Sequence, residues 1–323
     1  MRRAATSIAI PLVALALAFS SDFSSALAQT PMPPPAPHDS AGGADLAFGA
    51  FQRGMYMTAF TEATKRAQQN DAAAMTLLGE LYAQGLGVGR DDIKAAQWYK
   101  QAAALGDPDA IFALAMFSFE GRGGPRDPAA ASRLLDGAAK LGHPAANYNL
   151  GLLYLQGQQF KQDFKRAAEL FRKAADAGNP EAQYALATMY KEGRGVPKDV
   201  KQAMLLMAKA SVAGNLDAMV EFGIAEFNGD GVEKNETDAA RLLLAAARRG
   251  NAIAQNRMAR ILMAGRGMPA DPAEAIRWHL IAKAAGAGDP ELDVFAAKQP
   301  QAVRDAADAA AKKWMSTALA LKP

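Results

Sequence analysis

Residues 177–200, AGNPEAQYALATMYKEGRGVPKDV, bring glycines, lysines and acidic side chains together in a way that could cradle a phosphate. Such a loop aims backbone N–H groups at an anion from a helix start, with glycine where a side chain would block the approach. A binding loop of that kind has no reason to be copied. Yet Gly193 has counterparts at Gly85, Gly121, Gly157, Gly229 and Gly265, each 36 residues apart. The stretch therefore punctuates structure. The other candidates for chemistry are few. Three histidines, His38, His143 and His279, lie far apart, and the chain has no cysteine. No His-x3-His or similar ligand spacing is present, which argues against a zinc site. Asp91 and Asp92 read as a helix cap followed by a first-turn charge, and no serine sits in a nucleophile-elbow context. The expectation is a protein with no catalytic residue, no metal and no cofactor.

The elements behind these residues follow from the period. Written in rows of 36 starting at Asn70, Gly106, Gly142, Gly178, Gly214 and Gly250, the chain aligns without gaps. Alanine columns run through Ala74, Ala95 and Ala102, and large apolar columns through Leu78 and Trp98. Self-similarity at such a period marks a solenoid. Asp71, Asp107, His143, Asn179, Asn215 and Asn251 stand where a helix would begin, and Asp91, Asp127, Asp163, Asp199, Asn235 and Asp271 where a second would. Side-chain oxygens at such positions satisfy orphan N–H groups. Pro108, Pro144, Pro180, Pro128 and Pro272 occupy first helical positions, where a missing donor costs nothing. Each row is thus helix A, a glycine-rich loop, helix B and a tight turn. The predicted fold is all-α: an α-solenoid, a right-handed superhelix of six 36-residue helical hairpins with atypical end caps. Gln158, Gln159 and Phe160 break the Gly-x-Gly pattern in the third row, so that loop should differ in shape.

Residues 1–28 have a basic start (Arg2, Arg3), a short apolar run at 7–19 and Ala-Leu-Ala at 26–28, the pattern of a signal peptide cleaved after Ala28. The run falls short of the roughly 20 apolar residues of a membrane span. Residues 29–44 form a proline-rich linker, with His38 solvated within it. Residues 45–69 read as an N-terminal capping hairpin hinged at Gly54. The six repeats occupy 70–285. Residues 286–323 form a C-terminal cap with an amphipathic helix around 300–317, whose face carries Val303, Ala307, Ala310 and Trp314. Removing Arg2, Arg3 and Asp22 lowers the formal net charge from +3 to +2. That balance, with its charges interspersed, argues against a nucleic-acid partner. The expected location is periplasmic or secreted, with no transmembrane segment after cleavage and no cysteine for disulfide or lipid attachment.

The row with Leu78, Gly79, Tyr82, Gly85, Gly87, Val88, Asp91, Lys94, Ala95, Trp98 and Ala102 resembles the Sel-one-like repeat family, a branch of the tetratricopeptide-like helical repeats. The resemblance covers about residues 70–285. It implies an adaptor whose partner is another protein or peptide. Exported bacterial members are associated with envelope signalling, secretion and assembly of periplasmic complexes. It also implies that one stripe of helix A faces a concave groove. The stripe comprises Phe112, Met116 and Phe119; Tyr148, Leu152 and Leu155; Tyr184, Thr188 and Lys191; and Val220, Ile224 and Phe227. A wall of this kind suits an amphipathic helix or extended peptide; the alternative is that the stripe packs against the next repeat. Glu120, Gln156 and Glu192 would line the same edge. Cysteine-rich members have been linked to penicillin binding, and this chain lacks those cysteines. A groove-type binder or hydrolase of cell-wall or β-lactam ligands, and a secreted effector, are the other functional readings.

Overall fold

In the computed structural model, residues 46–320 are described, with side chains to 317. The signal-peptide and linker readings, His38 included, lie outside them. The described residues form sixteen α-helices and no strand. They group into two compact units, one ending at Ala174 and the other beginning at Ala175.

The first unit opens with α1 (Leu46–Gln52) and α2 (Tyr56–Ala67), joined through Gly54 at φ +73°. Three hairpins follow: α3 (Ala72–Gln84) with α4 (Asp92–Ala104), α5 (Pro108–Glu120) with α6 (Pro128–Lys140), and α7 (Pro144–Gln156) with α8 (Phe164–Asp176). The second unit contains α9 (Pro180–Glu192) with α10 (Val200–Val212), α11 (Leu216–Asn228) with α12 (Glu236–Arg248), and α13 (Ala252–Ala264) with α14 (Pro272–Ala284). It ends in α15 (Pro290–Ala297) and α16 (Gln301–Ala320).

The capping chemistry sets these bounds. All six predicted helix A caps accept the backbone N–H three residues on, at 2.7 to 3.1 Å. The helix B caps do the same at 2.9 to 3.1 Å. Each helix A stops at its glycine in the left-handed region, with φ between 66° and 83°. A second loop glycine brings the loop against an earlier helix start. A Cβ on Gly123 would lie 2.4 Å from the Asp92 carbonyl oxygen. The third row has Gln159 there, and among the described residues Asn70 alone combines a side chain beyond hydrogen with positive φ. Its loop accordingly takes another path, with Phe160 stacked on Tyr154 at 4.8 Å.

The cores are built around the three alanine columns, in which no residue is more than 3 % exposed. Between helices A and B, however, the innermost column is the neighbour of the one singled out by sequence. Tyr99, Leu135, Phe171, Met207, Leu243 and His279 are at most 1 % exposed, whereas Trp98, Leu134 and Leu242 are half-buried. They face Gly79, Ala115, Gly151, Ala187, Gly223 and Ala259, a column that alternates glycine and alanine from row to row. Size is matched across the pair. The rings of Tyr99 and Phe171 lie where a Cβ on Gly79 or Gly151 would come within 2.5 and 2.6 Å. At the chain's end, α16 packs on α14 through Trp314 against Trp278, with centroids 6.2 Å apart. Its buried residues are Ala307 and Ala311. Position 311, not 310, is inward because it stands one helical turn, four residues, from 307.

Candidate functional site

The stripe on helix A is not uniform. In the first unit, Phe112, Met116, Phe119 and Leu152 are closed to solvent, and Tyr148 and Leu155 are half-buried. Phe112 stacks on His143 with centroids 4.5 Å apart, so this part of the stripe packs against the next repeat. His143 accepts from the Ala146 N–H at Nδ1 and turns Nε2 to Asp109 at 3.1 Å. Of the edge residues, Glu120 lies 3.8 Å from Arg122.

In the second unit the stripe opens. Thr188 and Val220 are buried, Tyr184, Ile224 and Phe227 are half-buried, and Lys191 is exposed. Between α9 and α11, polar bonds close the gap. The Tyr184 hydroxyl donates to Glu221 at 2.6 Å and Lys191 Nζ to the same carboxylate at 2.8 Å. Burial and the Glu221 charge push the Tyr184 phenol far above its usual range. Edge residue Glu192 meets Arg194 at 3.0 Å.

One row later the positions of Tyr184, Lys191 and Glu221 are taken by Val220, Phe227 and Arg257. No polar bridge forms there, and a cleft of about 250 Å³ remains. Ile224, Phe227, Leu243, Ile261 and Met263 supply its apolar lining; Arg257, Arg260 and Arg266 supply its charge, with no carboxylate in the lining. Arg260 is held by Asp289 at 2.6 Å and Glu291 at 3.0 Å. Arg266 pairs with Glu236 and lies over the Phe227 ring at 4.7 Å. Arg257 has neither an ion pair nor a hydrogen bond among the described residues. Burial, then the neighbouring Arg260, lower its proton affinity, against the opposing charge of Asp289. Asn256, Arg260 and Met263 are simply the sixth-row members of the predicted stripe. Carrying the columns one row further would have found them. Arg257 sits beside the stripe, in a column that sequence reading left aside.

The repeats can now be placed among known proteins. The family model described as Sel1 repeat matches six consecutive segments: 72–107, 108–143, 144–179, 180–215, 216–251 and 252–286. The chain belongs to the Sel1 repeat family. The solved structure of a Sel1 repeat protein from Oxalobacter formigenes is similar to it, with 30 % identity, 74 % of this chain and 98 % of that one covered, and a TM-score of 0.67. Similar too is c5321, a protective antigen present in uropathogenic Escherichia coli strains displaying an SLR fold. There the identity is 25 %, the coverage 86 % of this chain and 72 % of that one, and the TM-score 0.57. No curated protein matches the sequence.

Sel1 repeats generally act as protein–protein interaction scaffolds and are typically non-enzymatic. Many polar groups inside these Sel1 repeats have structural partners, although the side-chain oxygens of Asn147, Gln183 and Gln255 and Nδ1 of His279 are buried without one among the described residues. Tyr99 donates to Glu80 at 2.9 Å, and Gln84 donates to the same carboxylate, whose pKa burial raises. His279 Nε2 meets Asp293 at 2.8 Å, and Lys283 meets that carboxylate at 2.7 Å. Asn147, Gln183 and Gln255 each donate an amide N–H to the carbonyl eight residues back, tying helix A to the preceding helix B. Among the described residues no cluster of three metal-ligating side chains occurs, and no helix is long and apolar enough to cross a membrane.

Proposed function

We propose that this Sel1 repeat protein is an exported scaffold that holds a protein partner on the open part of its helix A stripe, in the bacterial envelope. What carries the reading is the opening of that stripe at Ile224, Phe227 and Met263, inside a family of interaction scaffolds. Apolar side chains that stay half-exposed beside fixed cations form a surface with an affinity core and a polar rim. The buried residues Phe112, Met116, Phe119 and Leu152 serve packing, and the open residues serve contact. Export follows from the basic start, apolar run and Ala-Leu-Ala site of residues 1–28. The mature chain would begin at Gln29 and work beside an envelope sensor or secretion complex.

A photo-crosslinking amino acid placed at Ile224, Phe227 or Met263, in cells, tests this. One adduct of a single mass should form from those positions, and none from Val212, which is 91 % exposed on a helix B end. Equal labelling from Val212, or none from the three stripe positions, would refute the scaffold reading. Mass spectrometry of the periplasmic fraction should find an N-terminus at Gln29. An intact N-terminus in the cytosolic fraction would refute export.

A further inference from the structure

The cleft between α11 and α13 holds a charge that its own surroundings leave without a bonded partner. Its lining holds three guanidinium groups and no carboxylate. Two of the three are neutralised, Arg260 by Asp289 and Glu291 and Arg266 by Glu236. Arg257 is half-buried and makes no ion pair or hydrogen bond among the described residues; the carboxylate whose charge reaches it, Asp289, is already bound by Arg260 and Asn256. The repeat symmetry says what is missing. One row earlier the equivalent residue, Glu221, is bound by Tyr184 and Lys191. At Arg257 the two corresponding side chains are Val220 and Phe227, which offer no acceptor. Leaving a charged group partly desolvated and unpaired is costly, and a bound carboxylate removes that cost.

We infer that this cleft is an acidic-peptide site: it takes an extended segment of a partner protein, seating an apolar side chain on Ile224 and Phe227 and an aspartate or glutamate carboxylate on Arg257. The inference rests on the scaffold reading and names the chemistry of its partner. Charge complementarity picks the occupant. A basic or neutral segment would leave the Arg257 guanidinium as it is. A purely apolar one would bury it further. Size agrees, because about 250 Å³ admits one or two side chains rather than a domain. The remaining contacts of the segment would run along the stripe toward Lys191, an exposed cation that Glu221 already holds. A planar guanidinium accepts a carboxylate through two parallel hydrogen bonds, which gives register as well as attraction.

The test uses the mature full chain, residues 29–323, and a randomised heptapeptide phage library. Panning on the wild type should enrich peptides with an acidic residue beside leucine, isoleucine, phenylalanine or methionine. The best of these, made with a fluorescent label, should bind the Arg257→Met variant at least tenfold more weakly by fluorescence polarisation. Its glutamine-for-glutamate analogue should bind wild type and variant alike. Arg257→Lys, which keeps the charge without the fork, should recover part of the loss. Circular dichroism should show both variants as helical as the wild type; if Arg257→Met unfolds, Arg257→Gln takes its place. Enrichment of peptides without acidic residues, or equal binding by wild type and Arg257→Met, overturns the carboxylate assignment and leaves the scaffold standing. Failure to enrich any peptide overturns the site, while the crosslinks at Ile224, Phe227 and Met263 still judge the scaffold on their own.

Discussion

At the scale of single residues, two carboxylates with opposite surroundings make the first unit's stability depend on pH in opposite directions. Asp92 accepts from Arg122 at 2.7 Å, and Arg122 also donates to the Ala83 carbonyl at 3.0 Å. The Arg122 hydrogen bonds, outweighing partial burial, hold Asp92 at about 2. An aspartate in the unfolded chain titrates near ~3.9. The Asp92 contribution is therefore fully present above about pH 4 and disappears as pH falls toward 2. Glu80 is the reverse: burial raises it despite the donors Tyr99 and Gln84. It weighs nothing against folding in acid and opposes folding as pH rises through and above its unfolded value, near ~4.3. Asp92→Asn should cost roughly 1 kcal/mol at pH 7 and nothing near pH 2, because the pair is partly exposed. Glu80→Gln should cost stability at pH 3 if at all, and gain up to about 1 kcal/mol at pH 7. Denaturant melts across that range decide it; parallel pH curves for wild type and variants would refute both assignments.

At the scale of the element, what distinguishes one hairpin from another is the glycine–alanine alternation and the side chain it faces. Gly151 in α7 leaves room for Phe171 in α8, whose Cε1 would lie 2.6 Å from an added Cβ. The row before solves the same space with Ala115 and Leu135. Gly151→Ala gains up to about 1 kcal/mol in helix propensity. It should nevertheless destabilise by about 1–3 kcal/mol through overpacking. Phe171→Leu alone should cost about 1–2 kcal/mol through the space it empties. Together the two changes rebuild the neighbouring row's solution, so the double mutant should be more stable than the sum predicts by at least about 1 kcal/mol. Strict additivity in chemical denaturation would show that the ring does not occupy the space that glycine leaves.

At the scale of the molecule, the repeat is the unit of construction, because each row buries its apolar faces on its neighbours. Deleting residues 108–143 joins Asp107 to Pro144 in register and removes one whole Sel1 repeat. The shortened chain should keep its helical circular dichroism per residue and unfold at a lower temperature. Deleting eighteen residues instead should leave little soluble protein. The terminal helices have a different duty. Trp278 is 2 % exposed and packs edge-on against Trp314 of α16. Trp314→Ala should lower the melting temperature, by less than the ~3–5 kcal/mol equivalent of a fully buried ring. Truncation at Gly286 should expose Trp278 and cause aggregation, read by size-exclusion chromatography; a monomeric, fully stable truncation would remove any closing role for α16.

Much of this protein is local, and what is local was legible in its residues alone. The cap bond from Asn179 to the Ala182 N–H and the left-handed stop at Gly193 are made within a few residues of chain, so the type and spacing of those residues determined each helix and its ends. The 36-residue recurrence then determined the all-α repeat fold, since a single hairpin cannot bury its own apolar face. Burial was decided elsewhere. Phe119 and Phe227 occupy the same stripe column, yet Phe119 is closed to solvent while Phe227 lines an open cleft. Arg257 has the appearance of any helical arginine until the cleft around it proves to be lined by Ile224, Phe227 and two further arginines, with no carboxylate. Whether a side chain is covered, and whether a charge finds its counter-ion, depends on groups brought close from 30 or more residues away, and only the packed hairpins settle that.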